Sequence, residues 1–198
     1  MVSVAVVDGT DLVVRREAQV NNAHGEVLAT FIDEALREAR AAAADLQAIG
    51  VGLGPGPFTS LRVGIVTAAS MADALGVPAF GMCSLDTITD PSVVGMPYAV
   101  MTDARRRQYY WAVYDASGTR VEGPEISPPD ELAQHLRGRV QLGIGPVTDL
   151  VRWPDAARLA AYANTCAQQG QAPHALTPLY LRRPDAREPG ARKKVTPA

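Results

Sequence analysis

A chain of 198 residues, 47% apolar and 20% charged, is long enough to build a core as one large domain or two small lobes. A formal net charge of −2 supplies no basic field for gripping nucleic acid unaided. Apolar runs stop short of a membrane-spanning length, nothing at Met1 resembles a signal peptide, and Cys83 and Cys166 have neither metal-ligand nor disulfide-framework spacing, which together predict a soluble cytoplasmic protein.

Val2–Val7 is β-branched and runs into Asp8-Gly9, a hairpin signal, with Asp11–Val20 as the returning strand. Asn21 or Asn22 is placed to cap a helix whose apolar stripe is Val27, Leu28, Phe31, Ile32, Ala35, Leu36 and Ala39. Ala48–Leu53 reads as a short buried strand entering the Gly-Pro run GLGPGPFTSLRVG. A second helix is predicted from about Thr59 to Leu75, stopped by Gly76 and Pro78. Pro78–Met82 reads as a strand, and Ser84 as the cap of a short helix starting at Leu85. Asp90–Pro97 is linker-like. Tyr98–Thr102 and Gln108–Tyr114 read as antiparallel strands, Pro128–Leu136 as a helix, Arg139–Ile144 as a strand and Asp155–Gln168 as a last helix. The implied division is an α/β lobe over 1–91, a smaller α+β lobe over 92–183 and a mobile polar tail over 184–198.

The Gly-Pro run invites a phosphate-loop reading, and its chemistry argues against one. A phosphate cradle needs successive N–H groups and usually a lysine. Pro55 and Pro57 remove alternate donors, and no cation precedes Arg62. The run is instead predicted to be a stiff strand-to-helix turn. Arg62 falls near the positive end of the following helix dipole, so it calls for a carboxylate, a bound anion or free solvent.

Other chemistries find little local support. His24-Gly25-Glu26 lacks the P-C-x-x-C of zinc deaminases, His24, His135 and His174 are dispersed, and no G-x-S-x-G elbow occurs. Asp103-Ala104-Arg105-Arg106-Arg107 reads as a charged hairpin tip. Tyr109, Tyr110, Trp111 and Tyr114 alternate faces and are predicted to pack a sheet rather than stack bases. The second helix carries small residues (Gly64, Ala68, Ala69, Ala72, Ala74) and larger ones (Ile65, Val66, Met71, Leu75) on more than one face, which points to an interaction protein.

The block GLGPGPFTSLRVGIVTAASMADALGVPAFGMCSLDTI, with DARRRQYYWAVYD and PLYLRRPDAREP further on, resembles the TsaB (YeaZ) family over nearly the whole chain. The resemblance implies a two-lobed actin/Hsp70/sugar-kinase-like (ASKHA) α/β fold. It implies a non-catalytic subunit of the machinery that installs threonylcarbamoyl on the adenosine beside the anticodon of transfer RNA. It further implies a heterodimer with a TsaD-type transferase through the first two helices, association with a TsaE-type ATPase, and homodimers through the same surface when TsaD is absent. Contact with tRNA would be indirect. No cofactor of its own and no metal are expected, with ATP or ADP a candidate at the junction with TsaD. Interface candidates are Leu28, Phe31, Ala35, Ile65, Ala68, Met71, Ala72 and Leu75, and the family turn is Gly54, Pro55, Gly56, Phe58, Thr59 and Arg62, with Arg62 the candidate anion contact. No catalytic residue is expected. The runner-up is an ATP-dependent sugar-kinase-like enzyme, for which only Asp8-Gly9-Thr10 could face a phosphate; a peptidase has no residue in its favour. TsaB relatives open with a further strand, L-x-L-D-T-[AS], ahead of the one matching VSVAVVDG. The expectation is that Met1 lies inside a longer reading frame or marks a shortened form, leaving unpaired strand edges. The second lobe also reads as abbreviated between Gly145 and Asp155.

Overall fold

A computed structural model describes residues 1–9, 11–19, 24–90, 93, 95–173 and 175–182. The expected caps Asn21 and Asn22, the side chain of His24, His174 and the tail from 184 lie outside the described residues.

The chain opens with the predicted hairpin. Strands β1 (Val2–Asp8) and β2 (Asp11–Ala18) pair antiparallel around Asp8-Gly9, with a register shift between Val6 and Val7. Helix α1 (His24–Glu38) packs on this hairpin through its apolar stripe, with Ala35 fully buried. Strand β3 (Ile49–Gly52) leads through the Gly-Pro turn into α2 (Phe58–Leu75), and β4 (Ala79–Met82) returns parallel to β3. This βαβ unit is short, with Leu61, Ile65 and Ala68 of α2 packed on Val51.

Among the described residues β1–β2 and β3–β4 form two separate two-stranded sheets. Between them lies a cavity of about 650 Å³, walled by Val2–Val6 of β1 and Ile49–Gly52 of β3, and by side chains of three helices. β1 is accordingly only half-buried along most of its length, although a helix covers it.

The second half builds a four-stranded sheet in the order β7-β6-β5-β8, from β5 (Tyr98–Asp103), β6 (Tyr109–Tyr114), β7 (Arg120–Ser127) and β8 (Leu142–Ile144). The alternation read in β6 holds. Tyr110, Ala112 and Tyr114 enter the cluster around Leu85, Ile88 and Ile144 on one face. Trp111 and Val113 meet α3 (Pro129–Leu136) through Leu132 and Leu136 on the other. Trp111 Nε1 donates to Ser127 Oγ at 3.1 Å, so the buried indole N–H is satisfied. In the Asp103–Arg107 hairpin tip Asp103, Arg105, Arg106 and Arg107 are exposed while Ala104 turns into the core, and Arg105, Arg106 and Arg107 all adopt positive φ.

Three elements differ from the sequence expectation. Strand β7 is absent from that reading because Gly123-Pro124 in its middle looks like a turn. It is an edge strand, where a missing N–H need not cost a ladder bond. The 139–144 strand shrinks to Leu142–Ile144, which pairs parallel with β5. Ser84 does not cap the short 3-10 turn Ser84–Thr87; its hydroxyl accepts the N–H of Gly54 at 3.1 Å.

Helix α4 (Ala156–Gln168), capped by Asp155 through the N–H of Ala157, lies within the range read as the second lobe. It packs instead on β3, β4 and β1, with Ala163 and Cys166 against Phe80. Its approach to β3 is close: a Cβ on Gly50 would sit 2.2 Å from the carbonyl oxygen of Leu159. The segment 175–182 then crosses between the two halves. Leu179 N–H donates to Leu53 O at 2.7 Å, while Leu176 joins the α2 core and Leu179 and Leu181 join the β5–β6 core.

Candidate partner-binding face

The Gly-Pro turn is held from three sides. Gly54 donates to Ser84 Oγ, its carbonyl accepts the Ser84 N–H at 2.7 Å, and Leu53 is bonded to both Met82 and Leu179. Gly54 has φ +94°, and a Cβ there would meet Leu61 at 2.9 Å, so the position requires glycine. Gly54 and Pro55 are buried, Gly56 is half-buried and Pro57 is exposed. The turn therefore spends its Gly54 donor inside the protein, consistent with a stiff connector.

Helix α2 starts at Phe58 with no side-chain cap, Thr59 exposed on its first turn. Arg62 stays exposed to solvent, one of the three expected surroundings, and is also held by aromatic neighbours. Its guanidinium carbon lies 3.9 Å from the centroid of the Phe58 ring, and Nε donates to Tyr180 Oη at 2.9 Å. Phe58 and Tyr180 are themselves stacked, with centroids 4.8 Å apart. The electron-rich ring face thus offsets the unfavourable position of a cation near a helix start. What neighbours Arg62 is aromatic, a possibility the charge-centred reading omitted although Phe58 stands four residues before it.

The interface candidates divide by burial. Ala35, Ile65, Ala68 and Ala72 are buried within this chain, where they build its own core and present nothing to a partner. Leu28, Phe31, Met71 and Leu75 are half-buried, with Leu28 and Met71 on the wall of the inter-sheet cavity. The face α2 turns outward is Thr59, Arg62, Val66, Ala69, Ser70 and Asp73, all exposed, with Val66 at 62%. Val66, a large apolar residue outside the interface candidates, is the most exposed apolar side chain on this face. Its i+4 spacing from Arg62, opposite the Leu61–Ile65–Ala68 stripe, is the signal that could have found it.

A polar network sits apart from this face. Tyr114 Oη donates to Asp86 Oδ1 at 2.7 Å, and Arg120 Nε lies 3.2 Å from the same oxygen. Burial, reinforced by the Asp86 carboxylate, pushes the Tyr114 hydroxyl far above its ordinary value. It is a proton donor that stays protonated, and Tyr98 stacks on its ring at 5.0 Å. Burial also raises the Cys83 thiol, which keeps it a thiol rather than a nucleophile. Among the described residues no three His, Cys, Asp or Glu side chains converge to hold a metal. Among the described residues, too, no helix is long and apolar enough to cross a membrane.

The family described as TsaD, tRNA N6-adenosine threonylcarbamoyltransferase, matches residues 17–141, more than half of the chain. An uncharacterised protein of Mycobacterium tuberculosis is 40% identical over 195 residues, covering 94% of this chain and 89% of that protein. The tRNA threonylcarbamoyladenosine biosynthesis protein TsaB of Escherichia coli is 26% identical over 146 residues, covering 68% of this chain and 62% of that protein. Among solved structures, a Pseudomonas aeruginosa protein described as similar to the peptidase YEAZ superposes with TM-score 0.74 at 23% identity, covering 91% of this chain and 94% of that one. The superposition shows that the two chains share one α/β fold. The chain belongs to the family described as TsaD, and its likeness extends to TsaB (YeaZ) proteins.

Proposed function

We propose that this chain is a non-catalytic scaffold in tRNA threonylcarbamoyladenosine biosynthesis, supporting a TsaD-type transferase. Its two halves correspond, in this reading, to the two lobes of the ASKHA arrangement, with α4 part of the first lobe. The observation that carries the proposal is the outward face of α2. Val66 stands exposed between small residues, and beside it Arg62 is held in place by Phe58 and Tyr180. An apolar residue ringed by small ones lets another helix approach closely, and a pre-positioned arginine is a common anchor at interfaces. The stiff turn at Gly54 fixes the angle at which α2 is offered. TsaE-type ATPase and nucleotide would then belong to the assembled complex, with tRNA reached through the transferase. When the transferase is absent, the same face would serve for self-pairing.

Co-expression with the matched TsaD-type protein tests this. The expected result is co-purification that Val66→Glu abolishes while circular dichroism and thermal melting stay at wild-type values. Failure of the wild-type pair to co-purify would overturn the reading.

A further inference from the structure

The tip between β5 and β6 has no part in the scaffold role, yet it is built in an unfavourable conformation. Arg105, Arg106 and Arg107 adopt φ of +63°, +52° and +56° in succession. Left-handed backbone suits glycine and asparagine and disfavours other side chains, and such strain persists where the surroundings enforce it. Here they do. Gln108 N–H donates to Arg105 O at 3.1 Å and Ala104 N–H to Gln108 O at 2.9 Å, while Arg105 N–H donates to Asp103 Oδ1 at 2.8 Å. Ala104 is buried in the β5–β6 core, and Arg182 Nη2 donates to Arg105 O at 3.3 Å and to Gln108 Oε1. What the turn holds outward is charge, since Arg105, Arg106 and Arg107 are all exposed. Asp103 offsets part of it, with Oδ2 3.8 Å from Arg105 Nε. On a chain of net charge −2, three adjacent guanidinium groups are a local field set against the overall balance.

We propose that this tip is a phosphate contact for the backbone of an RNA. In the scaffold reading, on which this setting rests, the transferase holds the RNA and the tip touches it beside the partner face. The 175–182 segment supplies the placement. Tyr180 stacks on Phe58 and accepts from Arg62, and Arg182, two residues on, clamps the tip, a reach of about 7 Å of chain. Guanidinium forks match phosphate oxygens in pairs, which favours a phosphate as the ligand. The N–H groups of Ala104, Arg105 and Gln108 are spent within the turn, so it lacks the N–H cradle that holds a free nucleotide's phosphates. Nor does the tip carry the apolar centre of a protein–protein contact. Ala104 and Tyr110 are buried, and Tyr109 packs toward Trp111 and α3. A backbone phosphate contact requires cations alone and reads no sequence.

Fluorescence anisotropy of the full chain with a labelled RNA hairpin tests the tip without the transferase, so its outcome is independent of co-purification. Three phosphate contacts predict weak binding whose log K falls against log salt with a slope of about −2 to −3. Arg106→Gln with Arg107→Gln keeps long polar side chains and removes two charges. It should weaken binding about tenfold or more at about 50 mM salt and make the slope shallower by about 1.5. Arg106→Asn with Arg107→Gly installs the residues that a turn with two positive φ values favours. It should lose binding to the same extent while the melting temperature rises by about 2–4 °C. ATP and a glutamate-rich peptide, each matched to the RNA in total charge, should compete poorly. Absence of salt-dependent binding by the wild-type chain or wild-type affinity in the glutamine variant would overturn the proposal. So would a lowered melting temperature in the Asn-Gly variant, or competition by ATP or the peptide equal to that of unlabelled RNA.

Discussion

At the scale of single residues, polar groups are matched to fixed partners, and each match predicts a cost. Tyr114 gives its proton to Asp86 inside the β5–β6 core, beside Arg120. Tyr114→Phe deletes a hydrogen bond to a charged acceptor, and denaturant unfolding should show a loss of about 1.5–3 kcal/mol. Glu122 is bonded by Arg139 and by His135, the latter at 2.7 Å, and these contacts hold its carboxyl below the ordinary glutamate value of 4.5. Because the folded value is the lower one, the stability this site adds is complete above the unfolded value. It is lost as pH falls through the folded value. Thermal melts from about pH 5 down to pH 3 should therefore fall more steeply in wild type than in Glu122→Gln. The effect is small, since the cluster lies at the surface and is screened.

At the scale of elements, the close crossing of α4 over β3 decides where the last helix belongs. Gly50 lets the backbone of Leu159 lie against the strand, leaving no room for a methyl group. Gly50→Ala should destabilise by about 1–3 kcal/mol, the range for overpacking, with the loss concentrated in α4 protection when followed by hydrogen exchange. Helix α2 shows the same dependence on context. Its turn, start and stop are readable from Gly54 to Gly76, yet which of its two apolar faces is interior is not. Ile65 and Val66 are adjacent, both β-branched, one buried and the other exposed. Only the position of β3 and β4 separates them. Phe31→Glu and Met71→Glu, at half-buried positions, should lower the melting temperature, whereas Val66→Glu should not, surface substitutions usually staying within about 0.5 kcal/mol.

At the scale of the whole molecule, α4 and the 175–182 segment help to tie two sheet systems together. α4 returns to the first sheets and the 175–182 segment bonds across both cores. Deleting the segment from Leu176 onward should uncover Leu53, Leu61 and the Phe58 ring. It should also free Arg62 from Tyr180, and so weaken partner capture as well as stability; pull-down beside calorimetry reads both.

The hairpin at Asp8-Gly9, the βαβ unit with its stiff turn, the two-faced β6 and the limits of α2 were determined by the sequence itself. Each rests on a local rule: left-handed turn chemistry, β-branched runs, helical or two-residue spacing. The motif blocks carried the family. Tertiary structure alone decided that Gly123-Pro124 sits within an edge strand, that Ser84 serves Gly54 rather than a helix end, and that Arg62 rests on aromatic rings. It alone decided that α4 covers the first sheets. Apart from the Phe58–Arg62 pair, these are contacts between residues distant in the chain. Their energies depend on which surfaces meet in space, and no local spacing encodes that.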